Sequence, residues 1–302
     1  MGNMWQQFSK EISEAVDLAG KSIVAIDGRS GHTSSGIVWR ADSVLTAAHA
    51  IRHDANIGVI LGPGRSLQAQ LAGRDRGADI ALLKLDREIE ARPVQFGSTS
   101  SLAVGELTVA VARTRRGNIV ASGGIIGGLM GEWQAGRTRI DQFIRPDLNL
   151  YPGFSGGALV GGDGSVLGLN TSGLLRGKPI TIPSSTLTRV AEEIAAKGHV
   201  TRPYLGLVMQ PVQLPESLQT KAGVNRAAGL LIMHVEPGGP ADLAGALLGD
   251  IILDLDGRAF DDLEDVHEAL SHKAAGNEVQ AMMIRGGQKI ELTIRIGERP
   301  LR

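Results

Sequence analysis

The chain has 302 residues, which is enough for one large domain or two ordinary ones. Its 31 basic and 32 acidic side chains nearly balance, so it lacks the excess of positive charge that typically attracts a nucleic acid or an anionic membrane. It has no cysteine, which excludes disulfides, thiolate catalysis and cysteine-based zinc sites. Hydrophobic residues make up 42% of the chain, as in globular proteins, and no apolar run is long enough to cross a bilayer.

The N-terminal segment predicts a helix and not a secretory signal. Apolar side chains such as Trp5, Phe8, Ile12 and Val16 recur near a 3.6-residue period over residues 4–20. The segment lacks the basic-then-apolar layout of a secretory leader. We therefore expect a cytoplasmic location for the chain as written, and a periplasmic one if a leader has been removed.

The next part of the chain predicts β-structure. From Ser22 to about Thr181, short β-rich runs alternate with glycine-rich turns, a spacing typical of an all-β barrel or sandwich. A second helix is predicted from near Ser185, with Gly198 at its end.

Residues 198–203 are the best candidate for a domain boundary. Beyond them, further β-rich runs accompany an amphipathic helix predicted over Asp262–His272. We expect an N-terminal helix over residues 1–20, a first domain over 21–198 and a second over 203–298.

Ser155 is the candidate nucleophile, in the segment Pro-Gly-Phe-Ser-Gly-Gly at 152–157. A serine hydroxyl attacks a carbonyl only when a base takes its proton and an oxyanion site stabilises the intermediate. Neighbouring glycines let the backbone turn its N–H groups towards that site, and Gly153 and Ser155 are the expected donors. From this segment alone, a serine in a plain glycine-rich turn is an equal alternative.

The same segment also matches the G-x-S-x-G elbow of α/β-hydrolases. That elbow needs a helix after the serine, with the acid and then the histidine downstream. Here the residues from Ala158 to Asn170 have a β-like pattern broken by glycines, which argues against an α/β-hydrolase.

A histidine and an aspartate upstream complete a candidate catalytic triad. His49 follows an apolar run in Thr-Ala-Ala-His, whereas its rival His53 lies between two charged residues. Asp79 begins Asp-Ile-Ala-Leu-Leu, and an acid just before an apolar strand can be buried and orient an imidazole. Asp75 and Asp86 are weaker candidates because each has an arginine beside it.

Together, the three contexts and their order His49, Asp79, Ser155 resemble the chymotrypsin (trypsin-like) peptidase family, whose order differs from those of subtilisins and α/β-hydrolases. The segment Arg-Pro-Tyr-Leu-Gly-Leu at 202–207 resembles the carboxylate-binding loop of the PDZ domain of HtrA (Deg) proteases. Segments at 229–232, 237–241 and 248–252 resemble the body of such a domain.

The HtrA resemblance implies a mainly β fold: a chymotrypsin-like double β-barrel with the triad between its barrels, followed by one α+β PDZ domain. A PDZ groove adds a peptide to a sheet edge and captures its terminal carboxylate with backbone amides. Tyr204, Leu205, Gly206 and Leu207 would supply those amides. Three apolar residues on the helix would line the groove, or belong only to the core: Leu263, Val266 and Leu270.

The same resemblance places a specificity pocket beside Ser155. Asn149, six residues before the nucleophile, would form its floor, and without an acid there we expect small or aliphatic P1 residues. The pocket wall would come from Asn170, Thr171, Ser172 and Gly173. No metal or organic cofactor is expected, because Ser, His and Asp complete the acyl-enzyme cycle.

These features predict an HtrA-like serine endopeptidase for unfolded or damaged proteins, whose partners are protein substrates and C-terminal peptides. From the N-terminal helix alone, packing of its apolar face on its own barrel and packing on a partner chain are equal alternatives. HtrA proteases form trimers through aromatic residues at the start of the protease domain, so the resemblance implies a homotrimer through Trp5 and Phe8. The alternative is a catalytically impaired scaffold or chaperone. Its main support is the bulky Phe154, where HtrA enzymes commonly have Asn.

Overall fold

The computed structural model describes residues 3–29, 32–90, 92–136, 138–175, 177–260 and 262–298. The chain divides into two compact units, Met1–Val200 and Thr201–Arg302. Strands dominate both units, and the N-terminal unit contains closed barrels within its described residues. The expected mainly β fold with a double barrel is therefore confirmed.

Strands β1 to β6 form the first barrel of the N-terminal unit. They span Ile23–Arg29, His32–Arg40, Ser43–Ala47, Ile57–Gly62, Arg65–Asp75 and Ile80–Leu85. The strands pair antiparallel in the order β1, β2, β3, β6, β5, β4, and β4 pairs with β1 to close the barrel. Strand β3 is buried along its whole length and leads directly into a single 3₁₀ turn at Ala48–Ala50.

Strands β7 to β14 belong to the second barrel and a small ribbon beside it. They span Leu107–Arg113, Ile119–Met130, Trp133–Ala135, Thr138–Ile140, Phe143–Asp147, Ala158–Val160, Val166–Leu175 and Lys178–Pro183. The barrel order is β11, β14, β13, β12, β7, β8, closed by the pairing of β8 with β11, while β9 and β10 form the ribbon. The segment between β11 and β12 carries the candidate nucleophile.

Two helices flank the barrels. Helix α1 spans Met4–Gly20, and the side chain of Asn3 accepts the N–H of Trp5 at its start. Helix α2 spans Ser184–Lys197 and ends at Gly198, whose left-handed backbone returns an N–H to the carbonyl of Ile194. Both helices lie where the apolar periodicity predicts them.

The core of the N-terminal unit includes an apolar cluster inside the first barrel and a larger one that joins the barrels. The joining cluster combines residues of both barrels, such as Leu45 and Val111, with residues of α2 such as Leu187. Because this shared core holds the two barrels together, loops from each can form a single site between them.

The C-terminal unit is an α+β domain. Strands β15 to β22 span Pro203–Tyr204, Leu207–Gln213, Ala228–Val235, Ile251–Leu255, Arg258–Ala259, Glu278–Arg285, Gln288–Arg295 and Gly297–Glu298. Helices α3 to α5 span Glu216–Ala222, Pro240–Leu243 and Leu263–Ser271. The main sheet has the order β16, β17, β18, β20, β21, so β16 is an edge strand.

Candidate active site

A cleft of about 570 Å³ lies between the two barrels of the N-terminal unit. The first barrel contributes His49 and part of β2, and the second contributes the loop around Ser155, residues of β7 and β8, Ser172 of β13 and Gly177. Its lining includes Thr33, Ser34, His49, Ala50, Ala112, Arg113, Thr114, Arg115, Val120, Leu150, Tyr151, Pro152, Gly153, Phe154, Ser155, Ser172 and Gly177.

The 3₁₀ turn after β3 presents His49 to this cleft. The ring nitrogen Nδ1 of His49 lies 2.7 Å from Oδ2 of Asp79, and the backbone N–H of His49 donates to Oδ1 of the same carboxylate at 2.8 Å. Because an ionised carboxylate only accepts hydrogen bonds, Nδ1 carries the proton in this pair. Nε2 is then the nitrogen that can accept a proton in the cleft.

Asp79 is almost fully buried and has a left-handed backbone with φ of 57°. A non-glycine residue in this region is strained and persists only where its surroundings hold it. Here the carbonyl of Asp79 accepts the N–H of Ala48 at 3.0 Å, while its carboxylate binds His49 as described. The aspartate is therefore fixed at both its backbone and its side chain.

Thr171 adds a donor to Asp79 that the sequence did not predict. Its hydroxyl donates to Oδ2 of Asp79, and the N–H of Gly173 donates to the threonine oxygen at 2.9 Å. A Cβ at Gly173 would lie 2.6 Å from both Oδ2 of Asp79 and Nδ1 of His49. Only glycine lets the chain pass this close to the histidine–aspartate pair.

The loop around Ser155 needs its glycines for the same steric reason. Gly153 and Gly156 have φ values of 99° and 85°, which side-chain-bearing residues rarely adopt. A Cβ at Gly156 would collide with the backbone oxygen of Ser35. The loop therefore packs directly on strand β2 of the other barrel.

The two expected oxyanion donors have no competing partner in the described part of the chain. The N–H groups of Gly153 and Ser155 donate to no described acceptor, whereas Phe154 donates to the Tyr151 carbonyl at 3.0 Å and Gly156 to that of Asn170 at 2.8 Å. Unpaired backbone N–H groups beside a nucleophile can receive the charge of an oxyanion.

The hydroxyl of Ser155 lies 3.2 Å from that of Ser172. Among the described side chains, no hydrogen bond joins Ser155 to His49, although both residues line the same cleft. Catalytic hydrogen bonds are often long without substrate and shorten in the complex, so this geometry does not argue against a serine–histidine pair.

Phe154 points into an apolar cluster and is 3% exposed. The cluster includes Ala110 and Ala112 of β7, and the ring of Tyr151 meets the Phe154 ring edge-on with 5.8 Å between centroids. The bulky side chain therefore anchors the loop instead of filling the space above Ser155.

The structure corrects part of the predicted specificity pocket. Asn149 is exposed and does not line the cleft. Asn170 is fully buried behind the wall, where its side chain donates to the carbonyl of Ala158 and accepts from Thr181, both at 2.8 Å. Thr171 points to Asp79, so only Ser172 of the predicted wall lines the cleft.

Two arginines line the cleft instead. The guanidinium of Arg113 donates to the carbonyls of Gly20, Ile23 and Gly117 at 2.6–2.8 Å. Burial lowers the pKa of Arg113 from its ordinary value, but an arginine stays charged at neutral pH. Arg115 pairs with Asp27 of β1 at 3.1 Å. The charged side chains that line the cleft are thus basic.

The predicted peptide-binding loop of the C-terminal unit lies between β15 and β16. Leu205 and Gly206 donate no backbone hydrogen bond to any residue that the structure describes, while their carbonyls accept from Ala241 and Glu236. Such amides can capture a carboxylate. On α5, Val266 and Leu270 are buried in the core of this unit, and Leu263 is 37% exposed.

Family models divide the chain in the same way. A model described as a trypsin-like peptidase domain matches residues 34–169, and one described as a PDZ domain matches residues 203–296. No helix within the described ranges is long and apolar enough to span a membrane.

Curated relatives and solved structures are similar along most of the chain. The probable periplasmic serine endoprotease DegP-like of Halomonas elongata is 30% identical over 285 residues, covering 90% of this chain and 59% of its own length. Protease Do-like 1, chloroplastic, of Arabidopsis thaliana is 30% identical over 288 residues, covering 89% and 64%. The chain therefore spans about three fifths of the length of these relatives.

Among solved structures, the HtrA-type protease AlgW with decapeptide has a TM-score of 0.73 and 27% identity. That similarity covers 96% of this chain and 99% of the other. The serine endoprotease from Yersinia pestis has a TM-score of 0.73 and 26% identity, covering 95% and 98%.

Proposed function

Because the chain belongs to the HtrA/Deg family of trypsin-like serine proteases with a C-terminal PDZ domain, we propose that it is a serine endopeptidase for unfolded or damaged proteins. The observation that carries this proposal is the grouping in one cleft of Ser155, the His49–Asp79 pair and two unpaired backbone N–H groups.

In the acylation step, Oγ of Ser155 attacks the carbonyl carbon of the scissile peptide bond, and Nε2 of His49 takes the hydroxyl proton. The carbonyl oxygen becomes an oxyanion that accepts from the N–H groups of Gly153 and Ser155. When the tetrahedral intermediate collapses, the carbon–nitrogen bond breaks and His49 gives its proton to the leaving amine. The new N-terminus departs, and the acyl group remains on Ser155.

Deacylation repeats this sequence with water. His49 takes a proton from a water molecule, whose oxygen attacks the ester carbon. The carbon–Oγ bond then breaks, His49 returns the proton to Ser155, and the substrate leaves with a new carboxylate. Asp79 stabilises the imidazolium in both halves, and the Thr171 hydroxyl holds Asp79 in place.

We propose an uncharged P1 residue, small or aliphatic. The cleft is lined by apolar side chains such as Val120 and Leu150, and its charged side chains are Arg113 and Arg115. A lysine or arginine at P1 would meet like charge and no carboxylate, which opposes binding.

The C-terminal unit supports a second role, the recognition of C-terminal peptides. Strand β16 is an edge strand of its sheet and packs near α5, which leaves a place for an added peptide strand. We propose that the N–H groups of Tyr204–Leu207 receive the terminal carboxylate and that Leu263 contacts the last apolar side chain.

On this proposal, residues 1–20 are the N-terminal segment that contains α1, 21–198 the protease domain and 203–298 the PDZ domain. Residues 1 and 2 lie outside the described residues. We also propose a homotrimer, in which several PDZ domains hold one unfolded substrate. The cytoplasmic location expected from the N-terminal segment stays a prediction, and the name of the Halomonas relative supports the periplasmic alternative. Cell fractionation decides between the two compartments.

Labelling with a fluorophosphonate probe tests the activity without knowledge of the substrate. We expect the wild-type chain to form a covalent adduct and the Ser155→Ala variant to form none. A folded wild-type chain that remains unlabelled would favour the scaffold or chaperone function, for which the Ser155–Ser172 contact is the structural argument.

A further inference from the structure

Along the nucleophile loop, the two expected oxyanion N–H groups alternate with peptides that are hydrogen-bonded at both ends. The peptide that joins Gly153 to Phe154 is bound at both ends, since its carbonyl accepts from Ser35 and its N–H donates to Tyr151. The peptide that joins Ser155 to Gly156 is also bound at both ends. The peptide before each of these carries an expected donor, the N–H of Gly153 or of Ser155, which has no described acceptor. In the second of these donor peptides, the carbonyl of Phe154 accepts from the N–H of Gly157 at 2.9 Å.

One residue, Ser35 of β2, binds both of the fixed peptides. Its hydroxyl donates to the carbonyl of Gly153 at 2.8 Å, and its backbone N–H donates to the carbonyl of Ser155 at 2.9 Å. Ser35 is fully buried, so no water competes for these bonds. A single residue of the first barrel thus binds the loop of the second barrel at two points, the carbonyl of Gly153 and the carbonyl of the nucleophile itself.

The hydroxyl of Ser35 is itself oriented. The backbone N–H of Arg113 donates to its oxygen at 3.0 Å, so the one hydroxyl proton remains for the carbonyl of Gly153. The backbone carbonyl of Ser35 accepts from the hydroxyl of Thr46 at 2.6 Å. Ser35 therefore has a defined partner at each of its polar groups.

These two hydrogen bonds matter because the backbone of Gly153 has unusual conformational freedom. With φ at 99° and no Cβ, it can rotate neighbouring peptide planes at little steric cost. Because each peptide is planar, the bond to the carbonyl of Gly153 fixes the peptide that joins Gly153 to Phe154. The preceding peptide, which carries the Gly153 N–H, is then anchored at its Gly153 end and can turn away from the cleft only through rotations within Pro152 and Gly153. Oxyanion stabilisation depends on donors that are already oriented before the charge develops.

We propose that Ser35 is a positioning residue for the oxyanion donors. It touches neither substrate nor nucleophile side chain, and it acts by fixing the two peptides that alternate with those donors. This inference rests on the proposed protease function and adds to it a residue that lies outside the triad and the nucleophile loop.

Ser35→Ala tests the inference, with Ser184→Ala as its matched control. Both variants remove one buried serine hydroxyl bonded to a backbone carbonyl, but only Ser35→Ala releases the carbonyl of Gly153. With a fluorogenic peptide, we expect Ser35→Ala to lower kcat by about tenfold to a hundredfold while KM changes little. The inhibition constant of an apolar peptide boronic acid should rise by a similar factor, because its tetrahedral adduct uses the same donors.

A merely structural role would lower stability in both variants and leave boronate affinity unchanged in the folded fraction. Should Ser35→Ala fail to fold, Ser35→Cys keeps most of the volume with a weaker donor, and its boronate affinity should fall several-fold. If the wild type is active and the folded Ser35 variants keep full kcat and boronate affinity, the positioning role of Ser35 is overturned. The protease function is not overturned by that result. A wild type that neither cleaves nor binds the boronate would overturn the protease function and this inference with it.

Discussion

Nδ1 of His49 lies 2.7 Å from Oδ2 of Asp79, and Oδ1 of the same carboxylate accepts the backbone N–H of His49 at 2.8 Å. One carboxylate therefore holds both the ring and the main chain of the histidine. Because Asp79 is buried, turning the imidazole away would leave a desolvated carboxylate short of a donor, which is costly. The pair keeps the ring in a single orientation.

Removing the side chain of Ser155 or of His49 should abolish activity without unfolding the chain. We expect Ser155→Ala to stop the cleavage of fluorescein-labelled casein, and His49→Ala to lower the rate by about 10⁴-fold or more, because triad residues act as a unit. Asp86→Asn, at an exposed aspartate after β6, is the control and should keep full activity. Substantial proteolysis by both active-site variants would contradict the triad.

Thr171→Val should slow catalysis while leaving substrate binding intact. The variant removes a donor from Oδ2 of Asp79, so the carboxylate holds His49 less firmly, and we expect kcat to fall about tenfold. Thr181→Val is a matched control on the adjacent strand, since its buried hydroxyl binds Asn170 instead. Equal kcat values in the two variants would show that Thr171 has no role beyond packing.

The C-terminal unit should bind peptides with a free C-terminus. Using the full chain with Ser155→Ala to prevent cleavage, we expect an apolar-ended peptide to bind and its amidated form to bind at least about tenfold more weakly, because charge-assisted bonds to the loop amides are lost. Fluorescence anisotropy measures both affinities. Indistinguishable affinities would mean that the Tyr204–Leu207 loop does not capture a carboxylate.

Helix α1 should mediate assembly through its exposed aromatic end. Trp5 is 76% exposed and stacks edge-on against Phe8 with 6.5 Å between ring centroids. We expect a homotrimer of about 95 kDa, three times the 31.7 kDa chain, in light scattering coupled to size exclusion. Changing both Trp5 and Phe8 to alanine should shift it towards monomer, whereas Lys10→Ala should not.

A wild-type mass near one chain would refute the trimer. A trimer that persists after the aromatic double change would refute only the role given to α1.

The C-terminal unit should lose stability in acid through Asp256. A hydrogen bond from Lys273, followed by one from the N–H of Gln280, holds the pKa of Asp256 below its ordinary value. A lowered pKa contributes stability above the unfolded-state pKa and loses it as the pH falls through the folded-state pKa. Wild type should therefore exceed Asp256→Asn in stability at pH 7, and the difference should shrink below about pH 4.

Urea unfolding of the full chain at pH 7, 5 and 3 measures this difference. Asparagine tolerates the left-handed backbone at this position, where φ is 51°, so the turn itself is preserved. Glu278→Gln, at an exposed site on β20, is the control. A constant difference across the three pH values would contradict the assignment.

The architecture was predictable because it depends on patterns that are local in the chain. Short β-rich runs with glycine-rich turns predicted the strands, and apolar periodicity with Gly198 predicted α2. The candidate triad came from three short contexts in a specific order. Each of these signals occupies only a few residues.

The supporting contacts were not predictable because they join distant parts of the chain. The Thr171–Asp79 bond spans 92 residues and the Ser35–Gly153 bond spans 118. The predicted wall of the specificity pocket was partly wrong for a related reason. Asn170 and Thr171 are both fully buried on β13, and sequence alone does not tell which buried polar side chain faces the cleft. Only the packing of β13 against its neighbours places them.

Arg113 links the buried end of a sparsely buried helix to the residue that holds the nucleophile loop. Its guanidinium binds the carbonyl of Gly20 at the end of α1, and its backbone N–H orients Ser35. Within α1 only Ala19 and Gly20 are buried, and segments that bury little apolar surface open at low free-energy cost. The exposed turns of α1 should therefore open before the barrels do, while its buried last turn stays attached to Arg113 beside the nucleophile loop.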